Sequence, residues 1–531
     1  MANRNLLAAA VLLLSLSGCG RERPETAWKR LDAKAAKEYL APVRPGYEGR
    51  NPYWNVYAKK FIYAPAFDFE GVNGAVKYRF EATSGDGRTY SFDSNTPEAP
   101  LSPIWNDIPV GDVRLHVLAV GKGEEVLDTV GTRDFFRDFP FSGPYPGPAL
   151  GYRESAVKAA LFIHKMPCVQ HWLTHGEPDM GYNLNTYATK IIGSTIVNEC
   201  IVAREIPARR EEALEIARKA AEFLIAQSRQ EGEPMAFFPP TYYLDMVFSG
   251  RDENKGKAMT MEGCRAVDVF LTLYDETGDE RYMAQALGIM GTLRSLQRTD
   301  GSIPIKVDFN TGEPVNDVGA MLGPLVSVVQ RLEKDYGIGE YDGMASAAED
   351  WMRRVAVSTF NLTGQFEDVS VLGLRMYENL TNCTAAPYAQ YLLDKDEVSP
   401  EDLRDAVDLI RLSEDQFVHW DFLPDGDGIK PFCSPCVFEQ YKYEMAVDNS
   451  SCNVANAFLS LYERTGDPLA LAKGKALVDN LTIVQDQISG RIPTLLEFRG
   501  KTKEYNTFFW INCCVASIRT LLRMEKMTRD E

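Results

Sequence analysis

The sequence predicts a small N-terminal β-sandwich followed by an all-α toroid of six helical hairpins, the (α/α)6 arrangement. Three observations carry this. The segment Phe270 to Pro304 recurs, offset by 188 positions, as Phe458 to Pro493: FLTLYDETGD becomes FLSLYERTGD, and Leu296-Gln297 answers Val484-Gln485. Gly301-Ser302-Ile303-Pro304 likewise answers Gly490-Arg491-Ile492-Pro493. Weaker copies of the helix end fall between and around these two, so the long offset contains several repeats. Before the repeats, short alternating stretches dominate from about Phe61 to Val130.

The chain has 531 residues, 45% hydrophobic and 25% charged, which suits a globular protein of two or three domains. Its formal charge of −18, with no basic run, argues against a nucleic-acid partner. Arg4 and the apolar run Leu6 to Leu16 read as a targeting segment too short to span a bilayer. The run ends in Leu16-Ser17-Gly18-Cys19, which resembles the lipobox of bacterial lipoproteins. Residues 1–18 are then a signal peptide, and Cys19 carries the acyl chains that tether the mature protein to a membrane. Polar residues 19–50, with scattered prolines, are expected to be a tether.

Residues 51–140 should hold the β-domain. FIYAPAFDF, VKYRFEAT, RTYSFDS, DVRLHVLAV and EEVLDTV alternate and are separated by turn residues such as Ser84-Gly85-Asp86-Gly87. That spacing resembles a fibronectin type III or immunoglobulin-like module. The aromatics of FFRDFPFSGPYPGPALGY are expected to pack the joint with the helical domain.

From Glu154 onward apolar residues recur at helical spacing, and residues 150–531 are assigned to the toroid. Inner helices end near Ile201, Leu273, Leu332, Leu392, Leu461 and Leu521. Partner helices begin near Ser155, Arg209, Glu280, Gly343, Pro400 and Pro468. An open solenoid is the competing arrangement. In Thr277-Gly278-Asp279 the glycine suits a left-handed helix end and the aspartate caps the next helix. Asp467-Pro468 repeats that start. The opposite connections are long: 175–188, 229–259, 298–318, 360–379, 418–450 and 486–509. Long loops on a rigid scaffold are where a site is expected.

Those loops are rich in aromatics and carboxylates, which stack on sugar rings and bind their hydroxyls. Tyr242, Tyr243, Trp420, Tyr441 and Tyr443 are candidate stacking residues, and Glu262, Asp368 and Arg499 candidate polar contacts. The Q-x(3–4)-G-x-I-P outer ends and LYxxTGD inner ends resemble the six-hairpin glycosidase superfamily over about 154–527. That resemblance implies a carbohydrate-active enzyme, a glycoside hydrolase first and a polysaccharide lyase or uronate epimerase second. A non-catalytic surface glycan-binding lipoprotein is the alternative from another class.

Hydrolysis needs two carboxylates across the scissile bond. Asp448 enters the fifth inner helix and is expected to point at the axis, with Glu439 or Glu367 as its partner. The competing role for Asp448 is a helix cap. A lyase would instead use Tyr441, Tyr443, Tyr242 or His419, with Arg499, Lys501 and Lys503 holding an acidic sugar. His164, His171 and His175 lack accompanying carboxylate ligands, so neither metal nor cofactor is expected. Nine cysteines remain beside Cys19, five of them (Cys433, Cys436, Cys452, Cys513, Cys514) in the last two hairpins. A disulfide there suits an exported protein. The superfamily resemblance also offers a zinc-bound cysteine, for which the hairpin order is wrong.

Overall fold

The computed structural model describes residues 24–43, 54, 56–245, 252–363, 375–497 and 508–529. The expected tether is not featureless: Pro24–Glu38 forms helix α1. Its buried Ala27, Trp28, Leu31 and Ala35 make one apolar stripe, and Lys34 pairs with Asp467 at 2.6 Å. Polar composition hid this helix, because its core face is only four residues.

The β-domain is one sheet. Strands β1 (Lys60–Phe61), β2 (Lys77–Ser84), β3 (Thr89–Ser94), β4 (Gly111–Val120) and β5 (Val126–Arg137) order as β1-β5-β4-β2-β3, antiparallel except β1 on β5. The described residues therefore correct the sandwich expectation. Leu101, Ile104, Trp105 and Ile108 recur at near-helical spacing within a turn-rich segment and cover the sheet, with Phe61 and Phe67. Trp105, Phe61 and Phe67 each lie within 6.1 Å of Phe135, ring to ring. A second sheet has no face left to bury.

Among the described residues, twelve longer helices form the toroid. They are α2 (Tyr152–His164), α3 (Gly193–Glu205), α4 (Arg210–Gln227), α5 (Thr260–Thr277), α6 (Glu280–Leu296) and α7 (Gly323–Tyr336). Then come α8 (Asp342–Trp351), α9 (Asn382–Asp394), α10 (Pro400–Phe417), α11 (Asp448–Thr465), α12 (Pro468–Val484) and α13 (Ile511–Arg529). Successive odd helices from α3 pack side by side, and α13 packs back on α3, closing an inner ring of six. The even helices wrap it. Helix α2 packs on α13 as the outer partner of the sixth hairpin, so the first and last helices of the toroid complete one unit. The ring is closed, not a solenoid.

The repeated residues build the same joints twice. Gly278 and Gly466 take left-handed φ of 65° and 70°, and Asp279 and Asp467 cap the following helices by accepting from Arg281 N and Leu469 N. At the other end Gln297 Nε2 donates to the carbonyls of Gly301 and of Met344 on α8. Gln485 Nε2 does the same to Gly490 and to Ser155 on α2. The repeated spacing is a clamp from one outer helix to the next. Gly301 and Gly490 sit at φ 91° and 84°, where an added Cβ would lie 2.1 Å from Ala347 O and 2.5 Å from Lys158 O.

The sheet docks on the end of α10. Glu414 accepts from Tyr39 and Tyr63 hydroxyls at 2.6 and 2.9 Å and pairs with Lys473 at 2.8 Å. Asp415 accepts the Ile62 and Tyr63 amides at 2.7 and 2.8 Å. Phe141 and Tyr145 pack on Trp420, as the aromatic joint segment predicts. Among the described residues, no helix is long and apolar enough to cross a membrane.

Candidate functional site

Short turns join inner to outer helices at one end of the ring, and long connections lie at the other. On the long-loop side a cavity of about 650 Å³ opens into the inner ring. Its charged lining is balanced: Lys190, Arg265 and Arg519 against Glu262, Asp268 and Glu439. Tyr443 and Trp510 supply aromatic surface, and Asn449, Asn453 and Asn512 supply amides.

Each charged group is placed by its element. Glu262, Arg265 and Asp268 recur every three residues along α5, so one helical face presents all three to the pore. Arg265 pairs with Glu262 at 3.2 Å. Glu439 comes from strand β6 (Cys436–Gln440), whose hairpin with β7 (Tyr443–Ala446) leads into α11 and also carries Tyr443. Helices α5 and α11 are second and fifth in the inner ring, three hairpins apart. The Glu439 carbonyl accepts from Thr381 and Asn382 at the start of α9, so Glu439 enters the cavity beside the fourth and fifth inner helices and Glu262 from the second. Lys190 lies in a π-turn, Ala188–Ile192, before α3, with its ammonium 4.7 Å above the Trp510 ring. Tyr187 stacks on the same indole at 5.7 Å.

Of the residues proposed from sequence, Glu439, Glu262 and Tyr443 line this cavity. Asp448 does not. It is the first residue of α11, completely buried, and accepts from Ser517 Oγ at 3.0 Å and from the Asn449 amide at 2.9 Å. Its neighbour Asn449 takes the cavity-facing position, and Val447, not Asp448, is the capping residue. Burial pushes the Asp448 carboxyl up to about 8, against the Ser517 and backbone hydrogen bonds that oppose the shift. Entering an inner helix is thus insufficient to aim a side chain at the axis, because the first turn has inward and outward faces.

Three aromatic candidates are structural. Trp420 is 1% exposed, donates to Glu414 at 3.1 Å and belongs to the joint. The Tyr441 hydroxyl donates to Gln416 Oε1 at 2.5 Å, and its ring packs against Phe417. Tyr242 is buried in the wall, 6.0 Å from the Tyr187 ring. Tyr243 packs edge-on against Phe223 at 5.1 Å and is absent from the lining. His419 also belongs to the joint, 2.8 Å from Asp138. Glu367, Asp368, Arg499 and Cys19 lie outside the described residues.

Cys264, Cys383 and Cys513 reach the cavity wall, and the expected disulfide is not formed among the described cysteines. Burial raises Cys383 to about 12 and Cys513 well above its usual value, so neither is a thiolate near neutrality. Among the described residues, no three metal-ligating side chains converge. Sequence reasoning passed over Lys190, Arg265, Arg519, Trp510 and the three asparagines. The available signal was polar residues at i, i+3 or i+4 on otherwise apolar inner helices, as in Asn449 and Asn453.

No protein-family model matches the sequence, and no curated protein matches it. Solved structures match in fold. A D-mannose isomerase superposes with a TM-score of 0.50 at 9% identity, over 70% of this chain and 97% of its own. A family 76 glycoside hydrolase from a bovine Bacteroides thetaiotaomicron strain gives 0.47 at 12%, over 90% and 99%. Cellobiose 2-epimerase from Spirochaeta thermophila gives 0.46 at 13%, over 71% and 98%. At these identities the likeness is one of fold. The fold is the six-hairpin toroid.

Proposed function

We propose that this protein is a carbohydrate-active enzyme, a glycoside hydrolase in which Glu262 and Glu439 are the working carboxylates. The observation that carries the reading is that both line one cavity from different inner-ring elements, beside aromatic surface and side-chain amides suited to a sugar. Glu262, ion-paired with Arg265, serves as base or nucleophile. Glu439 faces it and protonates the leaving oxygen. Trp510, braced by Lys190 and Tyr187, gives a sugar ring a stacking surface.

A lyase or epimerase is the second reading, favoured by Tyr443, whose phenol lines the same cavity. That chemistry needs cationic excess for a uronate carboxylate, and the described lining is charge-balanced. Export and a lipid tether through Cys19 complete the proposal and rest on the lipobox. Incubation with a glycan panel separates the classes: hydrolysis raises reducing ends without ultraviolet absorbance, and elimination gives an absorbing unsaturated uronate. Reducing ends that Glu439→Gln and Glu262→Gln each abolish are the expected result. Full activity in either variant would remove that carboxylate from the mechanism.

A further inference from the structure

Toward the short turns, arginines link neighbouring inner helices. Arg204 on α3 pairs with Glu276 on α5 at 3.5 Å, and Arg331 on α7 reaches Asp268 and Asp275 on α5. Arg464 on α11 donates to the Leu393 carbonyl of α9, and Arg523 on α13 to Asn456 on α11. Each of these links neighbouring inner helices. The pair Arg519–Asp268, 3.1 Å apart, is different: it runs from α13 to α5, which are separated by α3. It therefore crosses part of the pore.

Asp268 and Arg519 are also the deepest charged lining groups, since each lies midway along its helix. Below them, toward the short turns, lie the arginine links of Arg204 and Arg464. Arg331 holds the other oxygen of Asp268, so the crossing pair is fixed from two sides. Arg519 is 47% exposed and uses one N–H on Asp268 in this contact, which leaves guanidinium donors for a ligand.

We infer that the cavity is a blind pocket that takes one end of a neutral oligosaccharide, with the Asp268–Arg519 pair as its end wall. The inference rests on the reading of the cavity as a glycan site. A chain cannot thread a ring closed in this way, so the terminal sugar meets Arg519 and Asp268 while the next units pass Glu262, Glu439 and Trp510. The volume of about 650 Å³ has room for a few sugar rings. The balanced lining selects against a strongly acidic end unit.

The test uses full-length protein and calorimetric titration with manno-, gluco-, galacto- and xylo-oligosaccharides of two to six units. Each is tested free, with a 4,6-O-benzylidene or equivalent acetal on the non-reducing sugar, and with a bulky fluorophore on the reducing end. Binding of a free oligosaccharide that one block abolishes and the other leaves intact is the expected result. Binding that survives both blocks overturns the blind pocket. Selective binding without turnover supports the pocket and removes only the hydrolase reading. Binding by no probe removes the glycan reading, and the inference falls with it. Arg519→Ala should weaken disaccharide and hexasaccharide by the same factor, about ten-fold, because only the first unit meets the wall. Arg519→Lys, which keeps the charge, should fold and lose less. Equal affinity in all three proteins would contradict the wall.

Discussion

Replacing Asp448 with asparagine should stabilise the protein in a pH-dependent way and leave turnover intact. The carboxyl is completely buried and titrates near 8, against 3.8 for an exposed aspartate. The unfolded chain therefore gives up its proton first as pH rises. Between about pH 4 and 8 the folded state loses roughly 1.4 kcal/mol per pH unit relative to the unfolded one. Asp448 thus lowers stability as pH rises, to a limit on the order of 5 kcal/mol above pH 8. Asparagine keeps the local geometry: its carbonyl accepts the Asn449 amide and its NH2 donates to Ser517 Oγ, with no charge to desolvate. Denaturant melts of wild type and Asp448→Asn at pH 5, 6, 7 and 8 should diverge steadily in favour of the variant. Groups common to both proteins cancel in the difference. A difference that stays constant with pH would refute the buried-acid argument. Loss of turnover with unchanged stability would return Asp448 to the substrate.

Three further outcomes rest on other parts of the chain. Gly490→Ala should cost ~2–5 kcal/mol, because it combines a left-handed backbone with a Cβ 2.5 Å from Lys158 O; Gly291→Ala, mid-helix with open space around it, should instead gain up to about 1 kcal/mol, both read by thermal melts. Asp415→Ala leaves the Ile62 and Tyr63 amides buried without their acceptor, and should cost ~2–5 kcal/mol and expose the sheet–toroid joint to limited proteolysis. Cys19→Ala should move the protein from the membrane to the soluble fraction, and retention on membranes would contradict the lipobox reading.

The scaffold was legible because its signals are local. Gly278-Asp279 and Gly466-Asp467 end and start helices wherever they stand, and Gln297 and Gln485 need only a turn four or five residues on and the next outer helix. The sheet's cover was not legible, because Leu101, Ile104, Trp105 and Ile108 lie in a segment without regular hydrogen bonding. Loop aromatics misled for a related reason. Trp420, Tyr242 and Tyr441 have the composition of a sugar platform, but long connections need a core of their own, and these rings form it. The first turn of α11 shows the limit most sharply. Adjacent Asp448 and Asn449 both carry short polar side chains, and only the helix's rotation about its axis decides which one meets the pore.

The 188-residue offset also shows where α5 and α11 differ. Under it Phe270 falls on Phe458, Cys264 on Cys452 and Gln297 on Gln485, all positions that pack or clamp. The pore-facing stripe breaks the symmetry. Glu262, Arg265 and Asp268 on α5 correspond to Ser450, Asn453 and Asn456 on α11. Of these three only Asn453 also lines the cavity, so α11 itself presents amides where α5 presents charges. Two carboxylates related by such an axis would share one environment and one proton affinity, whereas acid–base catalysis needs two that differ. The chain departs from its own repeat to achieve this. Glu439 comes from the β6–β7 hairpin before α11, while Glu262 stands on α5 itself beside a fixed arginine. Transferring charge to the cavity-lining positions of α11, as Asn449→Glu with Asn453→Arg, should therefore leave the fold intact and abolish turnover. Retained activity would show that the asymmetry of the walls is incidental to the chemistry.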